Sequence, residues 1–219
     1  MTLDQPLLDT VDPDISARLT SRRDLFGKAA VKFGVLASAP VVLAAVSSAA
    51  FGQSLPADVS AILNFALTLE YLEDEFYRTA LAQGGLIPDR YQEVFATISQ
   101  HETAHVAFLS SALGSAAAPK PQFDFTAGGK YRDVFRTFRT FAAVSQALED
   151  TGVAAYKGQA PALTGGGTLL TAALQIHSVE ARHAAEVRLV RGQSPWLGAF
   201  DKALSKAQVL AIAGPFIAG

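Results

Sequence analysis

Downstream of Leu55, apolar residues recur at steps of three and four, the spacing that gathers them on one side of an α-helix. Val59, Ile62, Ala66, Glu70, Glu73, Tyr77 and Ala80 share the first such face, with Asp58 after Pro56 as the expected N-cap and Gly84-Gly85 as the stop. A second face opens at Pro88-Asp89 and carries Tyr91, Val94, Ile98, Glu102, His105, Leu109 and Ala112 as far as Gly114. The third, entered from Gly128-Gly129, runs through Tyr131, Val134, Phe138, Phe141, Ser145, Glu149 and Tyr156 and ends around Gly158 and Pro161. The fourth follows Gly165-Gly166-Gly167 and carries Leu169, Ala173, Ile176, Glu180, His183, Val187 and Val190 up to Gly192. No window alternates with the period of two expected of a strand, so the pattern predicts an all-α fold of four long helices. A short amphipathic helix is expected around Phe200 to Ala211, beyond Pro195 and Trp196.

The connections predict how these helices lie. Short Gly/Pro turns join the first helix to the second and the third to the fourth, so each pair should form an antiparallel hairpin. Between the second and third lies SAAAPKPQFDFTAGG. A helix of about 25 residues is roughly 38 Å long, and about fifteen extended residues reach roughly 50 Å. The linker can therefore run the length of a bundle and start the third helix beside the beginning of the second, a long-crossover four-helix topology.

Polar positions inside the apolar stripes are where chemistry is expected. Glu70, Glu102, Glu149 and Glu180 fall there, and Glu102 and Glu180 each stand three residues before a histidine, His105 and His183. Residues three apart share a helix face, so each Glu-x-x-His pair can aim a carboxylate and an imidazole at one point. Burying four carboxylates without a partner would cost more than a small domain can offset. Two divalent cations would bring +4 against the four carboxylates, closing the charge without Lys or Arg.

A repeat relates these positions. Glu70 to Glu149 is 79 residues (149 − 70), and Glu102 to Glu180 and His105 to His183 are each 78 (180 − 102; 183 − 105). Each first-helix Glu also has a Tyr seven residues on, Tyr77 and Tyr156, two turns along the same face and placed to hydrogen-bond a ligand carboxylate. The halves read as copies of one hairpin related by an approximate two-fold axis through the site. Glu73 shares the first helix face, but its counterpart is Gly152, so a supporting or solvated role is expected rather than ligation. Asp74 and Glu75 are expected to be surface charge, and His101 and His177 ordinary histidines outside the ligand set.

Composition narrows the chemistry further. The 219 residues are half apolar, with 18 basic and 20 acidic side chains and no basic stripe, which argues against nucleic-acid binding. With no Cys, the chain has no disulfide, zinc-thiolate, iron-sulfur or thiol-nucleophile chemistry, and a metal must be held by His and carboxylate. Residues 1 to 52 read as a polar, turn-rich leader followed by an export signal, leaving 53 to 219 as the folded domain. Arg22-Arg23 with Leu25 and Phe26 resembles the twin-arginine translocation motif, with Phe and Leu in swapped order and Gly27 where Lys is common. That resemblance implies export of an already folded protein to the periplasm or cell envelope. The apolar run from Phe33 to Phe51 is long enough to span a membrane, but its Ala, Ser and Gly content and Pro40 favour cleavage near Gln53, with only transient membrane contact.

At Glu70, Glu102, His105, Glu149, Glu180 and His183, and in LNFALTLEYLEDEFY and FDKALSKAQVLAIAGPFIAG, the chain resembles the ferritin-like superfamily and its exported, desiccation-related members. The resemblance covers Leu55 to the C-terminus. It implies a four-helix bundle with two iron or two manganese ions on the six residues named, and it leaves the reaction open. Fe(II) oxidation, reduction of O2 or peroxide, manganese catalase-like dismutation, and a non-catalytic stress role with structural metals all occur among such expectations. A homo-oligomer is compatible with each.

Overall fold

The computed structural model describes Leu55 to Ala218, apart from Gly165 and Gly166; the leader and export signal expected before Gln53 lie outside the described residues. Four long helices follow in order: α1 Ala57–Ala82, α2 Asp89–Leu113, α3 Phe138–Gln159 and α4 Thr168–Val190. A short α5, Lys206–Ala213, closes the chain. None of the described helices is long and apolar enough to cross a membrane.

The long crossover is present. Tyr91 and Phe95 near the start of α2 pack on Phe138 and Phe141 at the start of α3, with ring centroids 5.5 Å apart for Tyr91–Phe138 and 4.8 Å for Phe95–Phe141. The two helices therefore begin at the same end of the bundle. On its way the crossover pairs Gln122–Phe123 (β1) antiparallel with Ile217–Ala218 (β2), which pins the C-terminus to the linker. Strands of two residues are too short to show alternation, which is why the hydrophobic pattern gave no sign of them.

Helix boundaries differ from expectation in three places, each for a local reason. Pro56 rather than Asp58 caps α1; Asp58 sits in the first turn, where its carboxylate accepts from the Val59 N–H at 2.9 Å and complements the helix dipole. The third helix starts at Phe138, not Tyr131. Upstream of it, Asp124 accepts from the backbone N–H of Thr126 and Gly128, and Gly128 and Gly129 take positive φ, so the chain is held in successive turns. Val134 is buried there and Tyr131 stacks on Phe216, so these turns bury apolar residues at a spacing that imitates a helix face. Finally, α5 begins at Lys206 because Ser205 and Gln208 form a reciprocal capping box, and Phe200 upstream of it is exposed.

The segment leading into α5 crosses α3 at Gly158. Leu204 N–H donates to Ala154 O at 3.0 Å, and a Cβ added at Gly158 would stand 1.9 Å from the Leu204 carbonyl oxygen. Gly158→Ala would ordinarily gain about 1 kcal/mol of helix propensity. Here the backbone clash dominates, and a net loss of about 1–3 kcal/mol is expected by chemical denaturation.

Candidate metal centre

Glu70 on α1, Glu102 and His105 on α2, Glu149 on α3, and Glu180 and His183 on α4 converge in the bundle interior, all buried, the four carboxylates fully so. Their ligand atoms fall into two overlapping groups, Glu70, Glu102, His105, Glu180 and Glu102, Glu149, Glu180, His183, with the atoms of each group within 4.8 Å of one another. His105 Nδ1 lies 3.2 Å from Glu70, 3.1 Å from Glu102 and 3.1 Å from Glu180. His183 Nδ1 lies 2.8 Å from Glu102 and 3.3 Å from Glu149. Glu102 and Glu180 belong to both groups and Glu70 and Glu149 to one each.

The donor set fits a cation. Among the described residues no Lys or Arg pairs with these carboxylates; they face only His105, His183 and the two tyrosines, and Glu180 Oε2 is buried without any partner. Oxygen and imidazole ligands of this kind suit iron, manganese or zinc.

The tyrosines orient Glu149 and Glu70, and they do so crosswise. Tyr77 of α1 donates to Glu149 of α3 and lies 2.6 Å from Ser145 Oγ, while Tyr156 of α3 donates to Glu70 of α1. Burial, reinforced by the neighbouring carboxylate, holds both phenols well above their usual pKa, so both remain donors.

Glu73 is not solvated. Its side chain is buried, Oε2 has no partner, and it lies over Gly152, where an added Cβ would come within 3.5 Å of Glu73 Oε1 and 3.0 Å of Glu180 Oε2. The missing side chain at the repeat position thus makes the space that Glu73 fills. Burial, with Glu180 and the other carboxylates adding to it, raises the Glu73 carboxyl well above the ordinary range. Asp74, expected at the surface, is also buried, bonded to Thr103 Oγ1 at 2.6 Å; Glu75 pairs with Lys120 outside.

Two residues of the site had no assigned role in the sequence reading. Ser145 was one polar position in an apolar stripe. His101 lies at the exposed rim with Nδ1 2.9 Å from His183 Nε2, a contact between α2 and α4 that no spacing within one helix could reveal. Because His183 turns Nδ1 toward the carboxylates, Nε2 carries the proton when Nδ1 ligates, and His101 Nδ1 is placed to accept it. His177 lies outside both ligand groups, and contrary to the expectation of an ordinary histidine its Nε2 is buried without a hydrogen-bond partner.

Without a cation the cluster must neutralise itself by taking up protons. Burial raises Glu102 to about 7 against hydrogen bonds from His105 and His183. Burial works to lower His183, but Glu149 and Glu102 override it and raise that imidazole to about 11. His105 is likewise raised by Glu70, Glu102 and Glu180 despite burial, and Glu70, which burial would raise, is held low chiefly by His105. A group with a raised folded pKa contributes stability below its unfolded pKa and loses it on the way up to the folded one. For Glu102 that window runs from 4.5 to about 7, and for His183 from 6.5 to about 11. The metal-free protein should therefore lose thermal stability as pH rises from 5 to 9. Metal loading should remove or reverse that slope, since protons compete with the metal for the same ligands. Melting curves with and without chelator across this range provide the check.

Paired helical hairpins joined by a long crossover, with Glu from α1 and α3 and Glu-x-x-His from α2 and α4, define the class of ferritin-like bundles with a carboxylate-rich interior site. Residues 58–193 match the model of the ferritin-like domain, and the chain belongs to that family. No curated protein matches the chain.

Proposed function

We propose that this is an exported di-metal carboxylate protein, holding two iron or two manganese ions, that oxidises Fe(II) or reduces dioxygen or peroxide in stress protection. The observation that carries the reading is the pair of overlapping buried ligand groups sharing Glu102 and Glu180. Glu70 and Glu149 would be terminal ligands, fixed by Tyr156 and Tyr77, with His105 and His183 supplying one nitrogen to each ion. Two Fe(II) ions held by these residues would supply, on oxidation to Fe(III), the two electrons that with two protons reduce dioxygen to hydrogen peroxide. Glu73, whose carboxyl burial and the neighbouring carboxylates raise well above the ordinary range, lies at the edge of the site with Oε2 unpartnered. The export and desiccation-related part of the proposal rests on the Arg22-Arg23 segment and on the likeness of LNFALTLEYLEDEFY to that group.

An oxygen electrode tests the reaction. Fe(II)-loaded protein should consume about one dioxygen per two irons, faster than free Fe(II). Uptake at the rate of free iron would refute an oxidase role. The same protein loaded with manganese and given peroxide distinguishes dismutation, which would evolve dioxygen.

A further inference from the structure

The internal repeat provides its own control for packing at the two ends of the site. Around Tyr77 the bundle is filled by aromatic rings: Phe76, Phe95 and Phe141 lie 5.4, 6.2 and 6.2 Å from it between centroids, and all are fully buried. Applying the 79- and 78-residue offsets, their counterparts around Tyr156 are Ala155, Ala173 and Ile62, and Ser145, which touches Tyr77, is replaced by Ala66. Three rings on one side thus face two alanines and an isoleucine on the other.

Phe65, Phe108 and Leu163 approach this end from other positions but leave a gap beside Tyr156. Ile62, Ala66, Ala155, Tyr156 and Ala173, with Leu109, line a partly open, almost wholly apolar cavity that has room for little more than one water-sized molecule. Ala66 is one turn before Glu70, and Leu109 one turn after His105, so the cavity lies next to the ligand layer. One of its walls is Tyr156, whose hydroxyl holds Glu70, and another is Leu69, the residue before Glu70. A water needs two or more polar partners to settle in such a space, whereas apolar cavities stay dry and take up apolar gases such as xenon.

We infer that this cavity is the binding and entry site for dioxygen, admitted beside Tyr156 toward the ligand group of Glu70 and His105, while the Tyr77 end is closed by its phenylalanines. The inference rests on the di-metal reading above and deepens it by naming the small apolar oxidant and its side of approach. A polar oxidant such as peroxide gains nothing from these walls.

Xenon on the full-length, iron-loaded protein is the probe, read by crystallography under xenon pressure and by 129Xe NMR. Wild type should hold xenon in the cavity. Ala173→Phe, which installs the residue present at the other end, should exclude it and raise the KM for dioxygen about tenfold, with kcat at saturating dioxygen and the iron stoichiometry unchanged. Ala155→Leu, a smaller filling, should act in the same direction if the Phe variant does not fold. Xenon absent from the wild-type cavity, or a filled cavity with unchanged KM for dioxygen, overturns the inference while leaving the di-metal reading intact. A wild type that binds no iron overturns that reading, and the dioxygen assignment with it.

Discussion

Glu102→Ala is expected to lower metal binding from about two ions per chain to one or none, whereas Glu149→Ala should lose only one. The asymmetry follows from geometry. Glu102 contributes to both ligand groups, with Oε2 at 3.1 Å from His105 Nδ1 and Oε1 at 2.8 Å from His183 Nδ1, while Glu149 touches only the His183 group. Removing a carboxylate shared by both groups would take a ligand from each of two proposed ions. In the metal-free chain Glu102 is fully buried among other carboxylates, so its loss relieves some repulsion but leaves a cavity and takes a partner from His105 and His183; circular dichroism of the variant confirms that it folds before the titration is read. Anaerobic titration of Fe(II) into wild type, Glu102→Ala and Glu149→Ala reads the three stoichiometries directly. Equal losses in the two variants would contradict the sharing of Glu102 between the two ions.

Stripping metal from the loaded protein should have the second large effect, lowering Tm by about 10–20 °C. An ion present at about 100 times its Kd stabilises by roughly 2.7 kcal/mol, so two contribute roughly 5 kcal/mol. In a domain of this size each kcal/mol moves Tm by about 2–4 °C. The direction is independent of that arithmetic, because the apo site leaves Glu180 Oε2 buried and unpartnered and sets four buried carboxylates against only two imidazoles. Calorimetry before and after chelation, at pH 8 where proton uptake gives least relief, measures the shift. An unchanged Tm would mean that the cluster does not hold a metal.

The helices and the site were legible in the sequence to different depths and for different reasons. Long faces such as Val59 to Ala80 have a period strong enough to define α1 and to put Glu70 inside it, and the matched offsets joined the two hairpins into one site. What periodicity could not separate was a helix from a run of turns burying residues at similar intervals, so Tyr131 and Val134 were read into α3. Asp74 was misjudged because its partner, Thr103, comes from another helix. The same holds for His101 and His183: contacts across helices depend on rotation and tilt, which no single-helix pattern encodes. Glu73 lies between these cases. Gly152 at its repeat position argued against ligation, yet the same glycine is what allows the Glu73 carboxyl to enter the site. The crosswise tyrosines show the two-fold relation at its most concrete, each hairpin bracing a carboxylate of the other.

The central claim is that six side chains from four helices hold a pair of metal ions. Anomalous diffraction at the iron edge from crystals loaded anaerobically tests it most directly. Two peaks should appear inside the bundle, one beside Glu70 and His105, the other beside Glu149 and His183, with Glu102 and Glu180 between them. No interior peak, or iron only on surface carboxylates, would contradict it.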